Sequence, residues 1–168
     1  MKFELYGKVR EFFRDIVGGD RIGKLDFGIL RTLMLLASVD GDISAQEMDF
    51  FREMAGKFRG TDGEPFEALW NSALHGAGYL LLQKRLLPKD ALVEAFVREA
   101  EGDFVSEVAG EVSAERQRAF ACLEEMAKAD NDYSDVERAC IEALTKRVKV
   151  KRDELIAARY PRAVIPGK

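Results

Sequence analysis

Histidine and cysteine are scarce in this 168-residue chain, which has one of the first and two of the second. Cys122 and Cys140 cannot build a disulfide framework, no C-x-x-C is present, and both fall at apolar positions of helix-forming stretches. Buried free thiols are therefore the expectation. His75, with no cysteine near it, reads as a surface or packing residue, which argues against a soft-metal centre. No uncharged apolar run approaches the roughly 20 residues that a membrane span needs. Met1-Lys2-Phe3-Glu4 becomes charged too early for a secretory signal. Cytoplasmic residence is the expectation, with peripheral membrane association left open. A basic excess is missing too: 26 Lys and Arg against 30 Asp and Glu leave a net charge of −4. That weighs against binding nucleic-acid phosphates; the run KRVKVKR at 146–152 is the one basic stretch. Finally, no segment joins strict apolar–polar alternation to hairpin turn signals, which removes a β fold.

What is present is helical periodicity. Tyr6, Val9, Phe13 and Ile16 mark an amphipathic helix over 3–17 with mixed charge on its polar face, suited to packing in a bundle. Residues 25–39 are apolar almost all round, with only Asp26 and Arg31 charged, as a central buried helix requires. Further helices are expected over 44–58, 66–86, 91–105, 111–129 and 134–148, with a short one at 153–158. Val93, Phe96, Val97 and Ala100 supply the apolar stripe of 91–105. Gly76 and Gly78 mark a close crossing or a bend in 66–86, and Pro161 and Pro166 lie in a tail expected to be mobile. At 47% hydrophobic and 33% charged, the composition is that of one globular domain with a sizeable core. The prediction is an all-α bundle of about seven to eight helices within residues 1–160.

The chain repeats itself. Ala37, Asp40, Asp42, Ser44 and Glu47 recur 90 residues later as Ala127, Asp130, Asp132, Ser134 and Glu137. The same offset lays 111–129 on 25–39 and 91–105 on 3–17. Two pseudo-symmetric three-helix halves, about 1–60 and 89–150, joined by the helix that carries Trp70, account for this. Each repeat reads as the end of one helix, an acidic turn, and the start of another.

Part of each turn has a purely structural use. Ser44 with Glu47, and Ser134 with Glu137, fit the capping box S-x-x-E. Asp42 and Asp132 precede a helix N-terminus, where the dipole favours an anion. Asp40 and Asp130 stand at the end of the preceding helix, where it does not, and so invite a cation. Asp40, Asp42 and Glu47, with their copies Asp130, Asp132 and Glu137, are hard oxygen ligands suited to Ca²⁺ or Mg²⁺. These are not EF-hand loops. The glycine due at the sixth position is Ala45 or Asp135, and the glutamate due at the twelfth is Phe51 or Ile141.

The segments Asp40-Gly41-Asp42-Ile43-Ser44-Ala45-Gln46-Glu47 and Ala129-Asp130-Asn131-Asp132-Tyr133-Ser134-Asp135-Val136-Glu137, each after an apolar helix, resemble the acidic turns of the TerB-like family, named for bacterial tellurite-resistance proteins. The resemblance covers about residues 25–150. It implies a compact helical domain that binds a divalent cation through the six carboxylates named above. The second copy departs from the pattern at Asn131 and Tyr133, which weakens its claim to a site. The expectation is a non-catalytic module that takes Ca²⁺ or Mg²⁺ and engages a protein partner, within a tellurite or envelope stress response. Direct tellurite chemistry is not implied, since an acidic cluster repels an anion. The alternatives are a metal-free scaffold with an acidic docking face and a metal-assisted hydrolase.

Overall fold

A helix that is apolar on every side has to be surrounded. In the computed structural model this is the fate of α1 (Lys24–Ser38), in which every residue from Gly28 to Ser38 is buried. The other described helices all touch it. They are α2 (Ala45–Lys57), α3 (Phe66–Lys84), α4 (Lys89–Ala100), α5 (Ser106–Gly110), α6 (Ser113–Lys128) and α7 (Asp135–Arg159). A π-helical turn, Glu101–Val105, joins α4 to α5. Residues 21–41, 43–58 and 64–160 are described. The helix expected at 3–17, Asp42, the turn at 60–63 and the tail at 161–168 lie outside them. The fold is all-α. Its one extended feature among the described residues is an antiparallel pairing of β1 (Arg21–Ile22) with β2 (Glu64–Pro65).

The helices that lead into the acidic turns, α1 and α6, pack on each other, and α2 packs on α6. The core between them is built from Leu33, Leu36, Phe51, Leu123, Met126 and their neighbours. Cys122 and Cys140 are buried free thiols, as expected. Burial pushes both upward, Cys140 to about 12, so neither is a thiolate near neutrality. His75 is exposed. No described helix is long and apolar enough to cross a membrane.

Three local features differ from the sequence expectation. First, 134–148 and 153–158 are one helix: α7 runs 25 residues without interruption. The basic run has no glycine or proline to stop it, and Lys and Arg are good helix formers. Glu154 offsets the repulsion from within the helix, 3.5 Å from Arg147 and 3.8 Å from Lys151. Second, the buried stripe of α4 is Leu92, Ala95, Phe96 and Ala100, which leaves Val93 and Val97 half-buried.

Third, the π turn interrupts the helix expected to run to 105, and Arg31 shows why it is tolerated. A π turn shifts the hydrogen-bond ladder by one residue and leaves a carbonyl out of register. Arg31, buried on α1, donates to that region through three nitrogens. Its Nη1 reaches the Glu99 carbonyl at 2.5 Å, Nη2 the Glu99 carboxylate at 2.9 Å, and Nε the Ser72 hydroxyl at 2.6 Å. Asp103 Oδ2 lies 3.4 Å from the same guanidinium. The planar fork of arginine allows this multiple engagement. Gly28 admits the turn's backbone against α1, because a Cβ there would stand 2.4 Å from the Asp103 carbonyl oxygen. Gly76 marks the close crossing of α3 and α1, where a Cβ would meet Leu35 Cδ2 at 2.6 Å.

Candidate metal centre

The two acidic turns share the backbone hydrogen bonds that close the preceding helix. Val39 N–H donates to Leu36 O at 3.2 Å and Gly41 N–H to Ser38 O at 3.2 Å. In the second copy Ala129 N–H donates to Met126 O, and Asn131 N–H to Lys128 O, both at 3.1 Å. Gly41 has φ 90° and Asn131 φ 63°, both left-handed. Glycine enters that region without steric cost, and asparagine is among the few other residues that do so readily. The change from glycine to asparagine thus leaves the turn intact. Ile43 and Tyr133 likewise fill one role, each packed half-buried against the core. Tyr133 additionally lies under Arg138, 4.7 Å from ring centroid to guanidinium.

Both capping boxes form. Glu47 N–H donates to Ser44 Oγ at 3.1 Å, and Ser44 N–H donates back to Glu47 Oε2 at 2.7 Å. At the second turn the corresponding distances are 3.2 Å and 2.9 Å, and the Ser134 hydroxyl also donates to Glu137 Oε2 at 2.7 Å. Ordinary capping glutamates sit at a solvated helix end. These two are each only 1% exposed.

Their burial follows from the packing of α1 on α6, which brings the N-termini of α2 and α7 together. One carboxylate oxygen each from Asp40, Glu47 and Glu137 lie within 4.8 Å of one another. The two turns therefore share a single locus, to which the first copy gives an aspartate and a glutamate and the second a glutamate. Asp42 lies outside the described residues. Asp130 and Asp132 are not in this group. Asp130 Oδ1 accepts from the Asp132 N–H at 2.9 Å, and Asp132 is exposed.

Crowding three carboxylates, two of them buried and Asp40 half-buried, is electrostatically unfavourable, and the proton affinities of the two glutamates show it. Burial, seconded by the charges of Asp40 and Glu137, holds the Glu47 carboxyl at about 7 in spite of its hydrogen bonds from Ser44. Glu137 is also pushed up, by burial first and then by Asp40 and Asp130, against the bonds from Ser134. A lysine flanks the first turn: a Cβ at Gly41 would stand 2.7 Å from Lys84 Cδ and 2.9 Å from its Nζ.

The arrangement fits a hard cation. Oxygens bound to one Ca²⁺ at about 2.3–2.6 Å lie no more than about 5 Å apart, and these three all lie within 4.8 Å of one another. The capping bonds engage only Oε2 of each glutamate.

The sequence places Glu47 and Glu137 both in the capping boxes and among the six candidate ligands, with the weight of a cation site on Asp40 and Asp130. A signal for their convergence was present. Glu47 heads the stripe Phe51, Met54 and Ala55, and Glu137 heads Cys140, Ile141, Leu144 and Val148, so each lies on the apolar face of its helix. No family model, curated protein or solved structure matches the chain.

Proposed function

We propose that the chain is a non-catalytic binding module whose two halves are joined by one divalent cation, Ca²⁺ or Mg²⁺, held between Asp40, Glu47 and Glu137. The observation that carries this reading is the convergence of three carboxylate oxygens, two from almost fully buried glutamates, to within 4.8 Å across a boundary between the sequence copies. Such a cation offsets the repulsion among the three and links the N-terminus of α2 to that of α7. The expectation from the TerB-like resemblance points the same way, though with six ligands over two turns rather than three at one locus. Engagement of a protein partner belongs to the same proposal, with the cation stiffening the face that carries the turns.

The alternative is a metal-free scaffold in which a proton does the same work. The position of Glu47 at about 7 favours it, since near neutrality that carboxyl is protonated about half the time. Calorimetric titration of chelator-treated protein with Ca²⁺ and with Mg²⁺ separates the two. The cation reading requires one Ca²⁺ or Mg²⁺ per chain, lost on Asp40→Asn and equally on Glu137→Gln, and retained on Asp130→Asn. Absence of binding by the unsubstituted chain, or binding indifferent to both substitutions, sinks it.

A further inference from the structure

Helix α7 is buried along one side through Cys140, Ile141, Leu144 and Val148, and beyond Val148 it is exposed except for half-buried Lys151. Its outer side carries Ala143, Lys146, Val150, Glu154 and Ala157. Steps of three and four residues put these on one face. Val150 is 50% exposed at the middle of it. Beside Ala143 the face opens into a shallow groove of about 380 Å³ between α4 and α7, lined by Val93, Val97, Glu94 and Arg98. These are the valines that the bundle leaves half-buried.

We propose that this face is the two-fold contact of a homodimer, in which the α7 helices of two copies lie antiparallel with Val150 of each at the axis. The charge pattern carries the inference. Lys146 and Arg147 stand four and three residues before Val150, and Asp153 and Glu154 three and four after it. Antiparallel pairing about Val150 sets Lys146 of each copy opposite Glu154 of the other. It sets Ala143 opposite Ala157, small enough for the helices to approach. A two-fold interface has to be complementary to itself, and this face is. Within one chain Glu154 has only long contacts, 3.5 Å to Arg147 and 3.8 Å to Lys151, and Lys146 has no ion pair among the described residues. In the dimer the last turns of each α7, whose residues 152–159 are exposed in one chain, run along the groove of the second copy and cover Val93 and Val97.

Sedimentation velocity of the full chain between about 1 and about 200 µM tests the proposal, in about 50 mM salt where surface charge is weakly screened. The expected result is a reversible monomer–dimer equilibrium. Lys146→Glu alone, and Glu154→Lys alone, each turn two attractive contacts into two repulsive ones and weaken the dimer on the order of tenfold. A 1:1 mixture of these two variants, and the chain carrying both substitutions, regain the unsubstituted affinity, because every facing pair again has opposite charge. Both positions are exposed, and circular dichroism confirms that the variants fold. An unsubstituted chain that stays monomeric throughout overturns the proposal. So does a dimer that neither reversal weakens, or a mixture no more dimeric than its separate components.

Discussion

Replacing Glu47 by glutamine tests the electrostatics of the shared locus directly. Glutamine keeps the capping geometry, since the box accepts Glu or Gln at this position, but cannot ionise. The Glu47 carboxyl moves from its ordinary 4.5 to about 7 on folding, which corresponds to roughly 3 kcal/mol between its protonated and ionised forms. The sign is fixed by linkage: between 4.5 and 7 the folded chain holds a proton that the unfolded chain has released, so stability falls as pH rises through that window. The contribution is fully present below 4.5 and lost above 7. Glu47→Gln removes it, and relative to the protonated carboxyl it exchanges one neutral acceptor of the Ser44 N–H for another. The variant should therefore be about 2–3 kcal/mol more stable than the unsubstituted chain at pH 8, and within about 1 kcal/mol of it near pH 4.5. Urea unfolding followed by far-ultraviolet circular dichroism, repeated from about pH 4.5 to about pH 8.5, measures the difference. Glu137 leaves a residual slope in both proteins, so the quantity to follow is the gap between them. A gap that stays constant across the range refutes the argument. Under the cation proposal, millimolar Ca²⁺ or Mg²⁺ restores the unsubstituted chain at pH 8 and does little for the variant.

Two further outcomes follow from the fold. Arg31→Met should cost about 2–4 kcal/mol, because it strands the Glu99 carbonyl and the partly exposed Glu99 and Asp103 carboxylates; for a chain of this size that is a melting-temperature drop of roughly 5–12 °C, readable by calorimetry. Gly41→Ala should lower stability by about 1–2 kcal/mol in urea unfolding at unchanged m, whereas Asn131→Gly should stay within about 0.5 kcal/mol, since both positions are left-handed and only the first is occupied by a residue free of that strain.

The helices, their caps and the doubled turn were legible in the sequence because each rests on local chemistry. The apolar periodicity of 25–39 and the S-x-x-E spacing at Ser44 and Ser134 need only the near neighbours of a residue to be interpreted. The features that were not legible depend on what lies across the bundle. Glu47 and Glu137 satisfy the capping pattern whether exposed or buried, and only the packing of α1 on α6 decides that they meet. Arg31 stood out as a charge in an apolar helix, but its purpose appears only when the π turn is seen against it. The π turn itself has no sequence signature in Glu101-Gly102-Asp103-Phe104-Val105. The unbroken course of α7 was not legible for a different reason: the like charges of 146–152 repel one another within a helix, and Glu154 supplies the compensation from the same helix.

The position of α1 has a consequence for how the protein is made. Its buried face is completed by α6 and then α7, and α6 alone ends 90 residues after α1 does. At ribosomal rates of about 5–20 residues per second, α1 waits roughly 5–20 s between its own emergence and the arrival of α6, and longer for α7. For that interval the most apolar stretch of the chain is in contact with water or with whatever shields it. Substitutions that make α1 less apolar should thus trade native stability for solubility during synthesis, and the yield of folded protein in cells should follow the holding capacity of chaperones more closely than the melting temperature.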